Sequence, residues 1–482
     1  MQRAFLIPHT YRIGRFLLVL LGFGCFIAVE LLLGSGFLLS RPYFLLLPVL
    51  PFIFLLISAR LELGIVALLF CMMWVRFGLS TGTASKLPIS LLFALFWGGL
   101  WLVKMALEGD IRFIRSPLNK PVLYFIIILL LSTFWSRFLI DPQVVLWSGF
   151  EKVQLGTVGV TIASITIPIL CINLIKNNKL VKICYGLAVA GSLFYLPFYT
   201  YEVFFAKASA DTNEISLATL SRVFNSGGLF PLWMCTLSLA MLFYARNLGK
   251  WQRFFIILCL GGWLFRLFVV TLVRISGWLP ALMAMLVILF LYSRKLFFFF
   301  LLASAILIAI NYQTIYDATV VQKEKEGTLS GETSRQNLWN QAFQVSQDHP
   351  LLGTGPAGYG NYYMVYFRDL SLSTHNNYLD MLLQYGLIGL GIFLWLCFSL
   401  IKELWKSAAL QQKGSFEHAF TIGAFAGSIG MMIGMWLGDW VIPFAYNQTI
   451  SGFNYTAYNW VFSGLALALG QIARKARTKP GE

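Results

Sequence analysis

Charged residues are scarce in this chain. Asp, Glu, Lys and Arg make up only 12% of the 482 residues, whereas 58% are hydrophobic and the mean hydropathy is +0.75. Soluble domains carry about 25% charged residues, and a soluble fold of this length could not bury so much apolar surface. The composition also excludes disordered, collagen-like and coiled-coil chains. The sequence therefore predicts an all-α, polytopic integral membrane protein.

Acidic residues are fewer than basic residues, and the formal net charge is +16. In a soluble protein this excess would suggest a nucleic-acid partner. Here the basic residues lie mostly in short links between apolar runs, as positive-inside topology requires. Each of the seven cysteines lies inside an apolar run, so no disulfide framework or metal cluster is predicted. We expect membrane lipids as partners and no nucleic acid.

The sequence contains about fourteen apolar runs that are long enough to cross a bilayer. They cover residues 15–38, 42–59, 63–79, 88–107, 121–138, 155–175, 183–200, 223–245, 254–272, 277–292, 296–312, 377–401, 419–439 and 456–473. With both termini in the cytoplasm and alternating sides, cytoplasmic links hold roughly twice as many basic residues as external ones. Residues 1–482 are therefore interpreted as one multi-pass membrane domain.

One long hydrophilic stretch, residues 313–376, interrupts this pattern on the external side. Thr333 or Ser334 can cap a helix over 334–348, and Pro350 follows its end. The helix is predicted to be amphipathic, because helical spacing brings five residues to one face: Leu338, Trp339, Ala342, Phe343 and Val345.

A glycine-rich segment follows, with four glycines and two prolines between Pro350 and Gly360. It is either a plain connector or a backbone whose N–H groups are free to approach a phosphate or sugar. It is not a nucleotide P-loop, because the terminal Gly-Lys-Ser/Thr is missing.

His375 is the candidate base. Ser373 or Thr374 can cap the next membrane helix, which places His375 in its first turn at the external face. An uncharged imidazole there can accept a proton from a sugar hydroxyl, and the alternative is a polar helix start at the headgroups. The other histidines are weaker candidates, since His9 and His418 fall on the cytoplasmic side and His349 suits a helix end.

Several arginines are candidates for binding an anion. Arg222 and Arg274 lie at external junctions, where they either snorkel to headgroups or bind a ligand. Arg266 lies within a span, which costs about 2.5–3.5 kcal/mol unless it faces protein, water or a partner. Arg335 starts the amphipathic helix. The topology places Arg274, Arg335 and His375 on one face, where guanidinium forks could hold a diphosphate beside a base.

Several common catalytic motifs are missing. The sequence contains no Asp-x-Asp and no zinc motif. We therefore expect no metal and no cofactor.

Residues 260–400 resemble the bacterial O-antigen ligase and polymerase membrane family. Arg274-Ile275-Ser276-Gly277 resembles the family's Ser-Arg-Gly motif, with Val273 in place of the serine. The other matching stretches are Ser334-Arg335 with Trp339, Pro350 to Gly355, His375-Asn376-Asn377-Tyr378-Leu379 and Gly386-Leu387-Ile388-Gly389.

The resemblance implies a GT-C-like membrane glycosyltransferase that uses an undecaprenyl-diphosphate-linked glycan and neither metal nor nucleotide sugar. It implies that His375 is catalytic and that Arg274 and Arg335 bind the diphosphate. Arg266 and Arg222 are further candidates because of their positions in the predicted topology. Other substrate contacts are expected at Asn376, Asn377, Gly353 and Gly355. The site would face the periplasm from the bacterial inner membrane.

The acceptor is left open. A ligase would transfer the glycan to lipid A–core or another surface acceptor in polysaccharide biosynthesis, a polymerase would extend a lipid-linked glycan, and an oligosaccharyltransferase would modify protein hydroxyls. The alternative of a different class is a transporter for a polysaccharide or a small anion. Transporters tend to place ionisable groups near the midplane, often within repeated halves.

Overall fold

The computed structural model describes residues 59–75, 78–80, 86–138, 140–204, 227–271, 274–317, 335–367, 373–444 and 450–478. The chain divides into two compact units, Met1–Gly64 and Ile65–Glu482. The predicted spans 15–38 and 42–59 lie outside the described residues, except for position 59. All the site residues discussed below belong to the second unit.

Helices dominate the described residues. In chain order they are α1 Gly64–Trp74, α2 Ile89–Glu108, α3 Asn119–Phe138, α4 Phe150–Leu174, α5 Asn178–Phe204, α6 Phe230–Tyr244, α7 Lys250–Phe265, α8 Ile275–Tyr292, α9 Arg294–Ile310, α10 Tyr312–Tyr316, α11 Arg335–Asp348, α12 Tyr359–Tyr366, α13 Asn377–Leu410, α14 Phe416–Leu437 and α15 Phe453–Thr478. Helix α7 continues as a π-helical turn, Arg266–Val270. Two short antiparallel strands, β1 Gly78–Ser80 and β2 Lys86–Pro88, form a hairpin.

Eight helices in the described part of the chain are long and apolar enough to cross a membrane. They are α2, α3, α4, α5, α7 with its π-helical turn, α8, α13 and α14. An all-α, polytopic membrane protein is therefore confirmed. Helices α6 and α9 also form where spans were predicted, with 15 and 17 residues.

The predicted span 63–79 is wrong. Helix α1 has only 11 residues, so it is about 16 Å long against a hydrocarbon core of about 30 Å. Arg76 interrupts the apolar run, and a stretch rich in Ser, Thr and Gly follows it. These residues favour a turn, and the chain forms the β1–β2 hairpin at this point instead of a continuing helix.

Helix α15 lies at the centre of the helical bundle. It packs against α4, α13 and α14, and its residues from Phe453 to Gly470 are almost all buried. Polar side chains are tolerated there because they have partners. Asn459 accepts from Trp233 Nε1 at 2.7 Å and donates to the Trp440 carbonyl at 2.8 Å. The run predicted as span 456–473 is thus a helix surrounded mainly by protein.

The basic links lie together at one end of the bundle. Lys182 pairs with Glu417 at 3.1 Å, Arg246 N donates to the Gly414 carbonyl at 2.8 Å, and Arg474 pairs with Glu403. Helices α13 and α14 run antiparallel, since the Tyr378 hydroxyl at the start of α13 donates to the Met432 carbonyl near the end of α14, so the opposite end holds the start of α13 and the end of α14. This opposite end is called the His375 end below.

The long hydrophilic stretch contains the predicted amphipathic helix. Helix α11 begins at Arg335 and ends at Asp348, before Pro350. Leu338, Ala342 and Val345 are buried, but Phe343 is exposed, so Phe343 is not on the packed face. The buried face packs on tyrosines of α12 and on Leu383 of α13, which holds the segment against the bundle.

Candidate active site

His375 lies immediately before α13. The cap of this helix is Asn376, whose side-chain oxygen accepts from the backbone N–H groups of Tyr378 and Leu379. The prediction that Ser373 or Thr374 caps the helix is therefore wrong, and His375 precedes the first turn instead of lying in it. Its backbone adopts a left-handed conformation, with φ of 51°. Such strain costs about 1–3 kcal/mol and is concentrated at functional sites.

A buried carboxylate lies beside the imidazole. His375 Nδ1 is 3.8 Å from Asp439 Oδ1, and the two side chains are 41% and 1% exposed. One side of the ring therefore faces a buried carboxyl group while the rest is open to a ligand. The separation is longer than a hydrogen bond, as is common for catalytic groups before substrate binds. Asp439 directly follows an apolar helix, but nothing in the sequence paired it with a residue 64 positions earlier.

Buried polar groups hold the loop in place. The Thr374 hydroxyl donates to Asp380 Oδ1 at 2.7 Å, and Asn377 Nδ2 donates to the Ile442 carbonyl at 2.7 Å. Asn377 Oδ1 accepts from Val441 N at 2.8 Å. Asn377 thus binds the segment that carries Asp439, whereas Asn376 caps the helix. Both amides serve the fold and position His375.

Helix α11 is tied to the same loop. Trp339 Nε1 donates to the Thr374 carbonyl at 2.9 Å, and its ring centroid is 6.0 Å from that of Trp436 on α14. Arg335 begins this helix about one turn, or about 6 Å of helix rise, before Trp339. Helix α11, which begins at Arg335, therefore lies at the His375 end of the bundle.

Arg274 also lies at the His375 end. It is the N-cap residue of α8, its N–H donates to the Thr271 carbonyl at 2.9 Å, and its side chain is exposed. Helix α8 packs against α14, with Gly430 and Gly434 of α14 against Pro280 of α8. The sequence thus identified two arginines that begin helices at the same end as His375.

The remaining arginine candidates differ. The guanidinium of Arg266 lies over the rings of Tyr195, Tyr199 and Trp263, with its carbon 5.2, 4.5 and 5.1 Å from their centroids. These cation–π contacts account for an arginine inside a span. Arg222 lies outside the described residues.

The glycine-rich segment uses its backbone groups internally. Thr354 N donates to the Leu383 carbonyl at 2.8 Å, and Gly355 N donates to the Gln384 carbonyl at 3.0 Å. Gly353 N donates to the His349 carbonyl at 3.2 Å. The N–H groups of Gly353 and Gly355 are therefore not free for a phosphate in this conformation.

The two backbones meet at glycines because side chains would collide. A Cβ on Gly353 would lie 2.5 Å from the Leu383 carbonyl oxygen, and one on Gly386 would lie 2.2 Å from that of Leu351. Both glycines are left-handed, with φ of 66°, and Gly386 interrupts α13. The segment braces the first turns of α13, which in turn carry the His375 loop.

An open apolar cavity of about 460 Å³ lies at the surface of the bundle next to this loop. Tyr378 from α13 and Leu279 from α8 both line it, so it adjoins the helix starts that carry His375 and Arg274. Its other lining residues are Leu394, Met432, Ile433, Trp436 and Leu437. Such a lining suits a hydrocarbon chain.

The described residues contain no group of three or more His, Cys, Asp or Glu side chains arranged to hold a metal ion. The acid–base groups near His375 are instead the two buried carboxylates Asp380 and Asp439, which interact electrostatically with one another. The chemistry that this arrangement supports is proton transfer at an exposed imidazole.

Comparison with known proteins gives one family. Residues 254–394, under a third of the chain, match the family model described as O-antigen ligase. The matched segment contains Arg266, Arg274, Arg335 and His375, but not Asp439. No curated protein matches the chain. In residues 254–394 this membrane protein is therefore similar to the O-antigen ligase family, which confirms the resemblance that the motifs indicated.

Proposed function

We propose that the protein is a membrane glycosyltransferase that transfers a glycan from an undecaprenyl-diphosphate carrier to an acceptor hydroxyl, as a ligase acting on lipid A–core or another surface acceptor. The observation that carries this proposal is the exposed imidazole of His375 beside the buried carboxylate of Asp439. An exposed ring next to a fixed carboxylate is the arrangement that a general base requires.

In the proposed reaction His375 takes the proton of the acceptor hydroxyl as its oxygen attacks the anomeric carbon. The bond from that carbon to the diphosphate oxygen breaks, and undecaprenyl diphosphate leaves with the electron pair. Asp439 stabilises the imidazolium that forms. No metal is required if arginines neutralise the developing charge on the leaving group.

Arg274 and Arg335 are the proposed diphosphate ligands. Each begins a helix at the His375 end, and the side chain of Arg274 is exposed. The N-terminus of a helix adds a partial positive charge to that of the guanidinium. Both features favour a diphosphate at this end of the bundle.

The apolar cavity supports a lipid-linked donor. It adjoins the starts of α8 and α13, so a hydrocarbon chain entering it would leave its diphosphate near Arg274 and His375. A nucleotide-sugar donor would need no such cavity. We therefore propose that the part of the carrier lipid next to the diphosphate lies in this cavity.

The proposed location is the bacterial inner membrane, with both termini cytoplasmic and His375 facing the periplasm. The basic links meet at the end opposite His375. Positive-inside topology favours the cytoplasm for that end.

Two other enzymes share this donor and site. A polymerase would extend the lipid-linked glycan, and an oligosaccharyltransferase would use a protein hydroxyl. A transporter is less favoured, because Arg266 lies four residues before the end of the span Lys250–Val270, away from its middle.

Reconstitution tests the proposal directly. The purified protein in liposomes is supplied with a lipid-linked oligosaccharide and with lipid A–core, with and without EDTA. Glycosylated lipid A–core formed in both conditions is the expected result. Longer carrier-linked ladders would identify a polymerase, whereas glycan movement across the bilayer without transfer would contradict the enzyme.

A further inference from the structure

A second cavity, of about 470 Å³, opens where α4 begins. It is lined by the last turn of α3 and by the loop that enters α4. The residues that define its chemistry are Arg137, Trp147, Ser148, Phe150, Glu151 and Lys152. None of these positions belongs to the candidate active site.

Arg137 forms one wall of this cavity. Arg137 Nε donates to Gln154 Oε1 at 2.8 Å, and its Nη1 donates to Glu151 Oε1 at 3.1 Å. The guanidinium carbon also lies 5.4 Å from the centroid of the Phe150 ring. Three contacts therefore hold the guanidinium, and one of them places it beside the carboxylate of Glu151. A ligand would meet a donor and an acceptor side by side.

The rest of the lining combines an aromatic ring with small polar groups. Trp147 is half-buried and packs with Phe150 and Val153, whereas Ser148 and Lys152 are exposed. A saccharide presents an apolar face of C–H bonds and a rim of hydroxyls that both donate and accept. An indole face next to groups of both signs matches that chemistry. A hydrocarbon would leave the charges of Arg137, Glu151 and Lys152 unsolvated.

The cavity opens at the His375 end of the bundle. Ala357 of the glycine-rich segment packs on Phe150 and Val153, and its N–H donates to Gln384 Oε1 at 3.0 Å. Gln384 Nε2 in turn donates to the carbonyl of Asp380 at 3.3 Å, and the side chain of Asp380 accepts from Thr374, next to His375. A glycan that extends away from the reacting bond would therefore meet this cavity on the same face.

We propose that this cavity is a saccharide subsite, in which Trp147 stacks on a sugar of the glycan substrate and Arg137 and Glu151 bind its hydroxyls. The identification of the sugar as part of the substrate rests on the proposed function. The binding chemistry rests on the cavity alone.

The test measures binding without transfer. The probe is the oligosaccharide that mild acid releases from the lipid-linked glycans of the cell that carries this chain, titrated into the full-length protein in nanodiscs by calorimetry. We expect Trp147→Ala to weaken binding at least about fivefold and Trp147→Phe to weaken it less. We expect Glu151→Ala, at a mostly exposed side chain, to weaken it about three- to tenfold.

Trp251→Ala is the matched control, because Trp251 is 74% exposed at the opposite end. It should leave binding unchanged. The melting temperature of each variant identifies any loss of fold. If Trp147→Ala unfolds, the affinity of Glu151→Ala tests the subsite instead. Absent binding by the wild type, or wild-type affinity in both Trp147→Ala and Glu151→Ala, would overturn the subsite.

Failure of the subsite and failure of the proposed function give different results. If transfer depends on His375 but substitutions of Trp147 and Glu151 leave the binding affinity unchanged, only the subsite is wrong. If binding depends on Trp147 while His375→Ala retains full transfer, only the catalytic assignment is wrong.

Discussion

Two histidine–aspartate pairs in this protein are arranged in opposite ways. His375 is 41% exposed beside Asp439, which is 1% exposed. His349 is 9% exposed, and its Nε2 lies 3.5 Å from Oδ2 of Asp141, which is 32% exposed. In the first pair the imidazole is open to a ligand and the carboxylate is enclosed. In the second pair the imidazole is enclosed and the carboxylate is partly open.

The surroundings of the second pair explain its enclosure. The ring of His349 lies 4.7 Å, centroid to centroid, from that of Tyr362, and the Tyr366 hydroxyl donates to Asp141 Oδ2. Burial raises the pKa of Tyr362 to about 12, and the hydrogen bond to Asp141 raises the pKa of Tyr366. Both phenols therefore stay protonated at neutral pH, and the Tyr366 hydroxyl is a donor to Asp141. This cluster joins the end of α11 to the loop after α3.

The difference shows that the pairing of histidine with a carboxylate does not by itself indicate a base. A base needs an open ring nitrogen as well as a carboxylate that cannot move away. Only the His375 pair meets both conditions. The His349 pair holds two segments together, so the two pairs should respond differently to the same substitutions.

The largest expected effect is on His375. Removing the base with His375→Ala should lower the transfer rate by about 10³-fold, while the melting temperature stays the same, because the exposed ring supports little packing. The reconstituted transfer assay and thermal unfolding measure the two quantities. A variant that keeps the wild-type rate would remove the functional difference between the pairs.

Arg274 provides the next test of the comparison, because it lies at the same end of the bundle as the His375 pair. Arg274→Ala should lower kcat/KM for the lipid-diphosphate donor by about 10²-fold, and Arg274→Lys should retain part of it, since a lysine keeps the charge but loses the fork. Arg112→Ala is the control, because Arg112 is 86% exposed outside the site. Equal losses in the two alanine variants would point to a general charge effect.

The next largest difference is expected between variants of the two carboxylates, Asp439 and Asp141. Asp439→Asn should lower kcat by about 10- to 100-fold with little change in KM, because the imidazolium loses its stabilising charge. Asp141→Asn should leave kcat unchanged. In the His375→Ala background, Asp439→Asn should cost nothing further, since the two residues act as a unit. Additive losses in that double variant would mean that Asp439 acts independently of His375.

The smallest effect on turnover is expected at His349. His349→Ala should lower the free energy of unfolding by about 1–2 kcal/mol, because it leaves a gap between Tyr362 and Asp141. The folded fraction should transfer glycan at the wild-type rate. Thermal unfolding and transfer per folded molecule provide the check, and a large loss of turnover at unchanged stability would assign a catalytic role to His349.

The fold was largely predictable where a long local pattern existed. Helix α11 was predicted over 334–348 and begins at Arg335, because its apolar residues recur at helical spacing. Phe343 was misplaced because the same spacing allows a wider face than the bundle covers. The run 63–79 was misread because hydropathy alone does not report where a helix ends.

The candidate site was predictable only in part. His375 and Arg274 were predicted because the alternating spans place both residues at external junctions beside membrane helices. Asp439 was missed because its partner is 64 positions away and no spacing rule connects them. The glycines at 353 and 355 looked like a ligand-binding loop, but the structure shows N–H groups that are bonded to residues of α13 or to His349.

The sequence by itself determined that this chain is a polytopic membrane protein and where most of its long apolar helices lie. These properties follow from transfer free energies and local periodicity, and each residue contributes to them without reference to distant ones. Only the tertiary structure decided which histidine keeps an open ring and which backbone N–H groups remain for a ligand. Those outcomes depend on contacts between distant segments, and solvent exposure exists only after the segments pack.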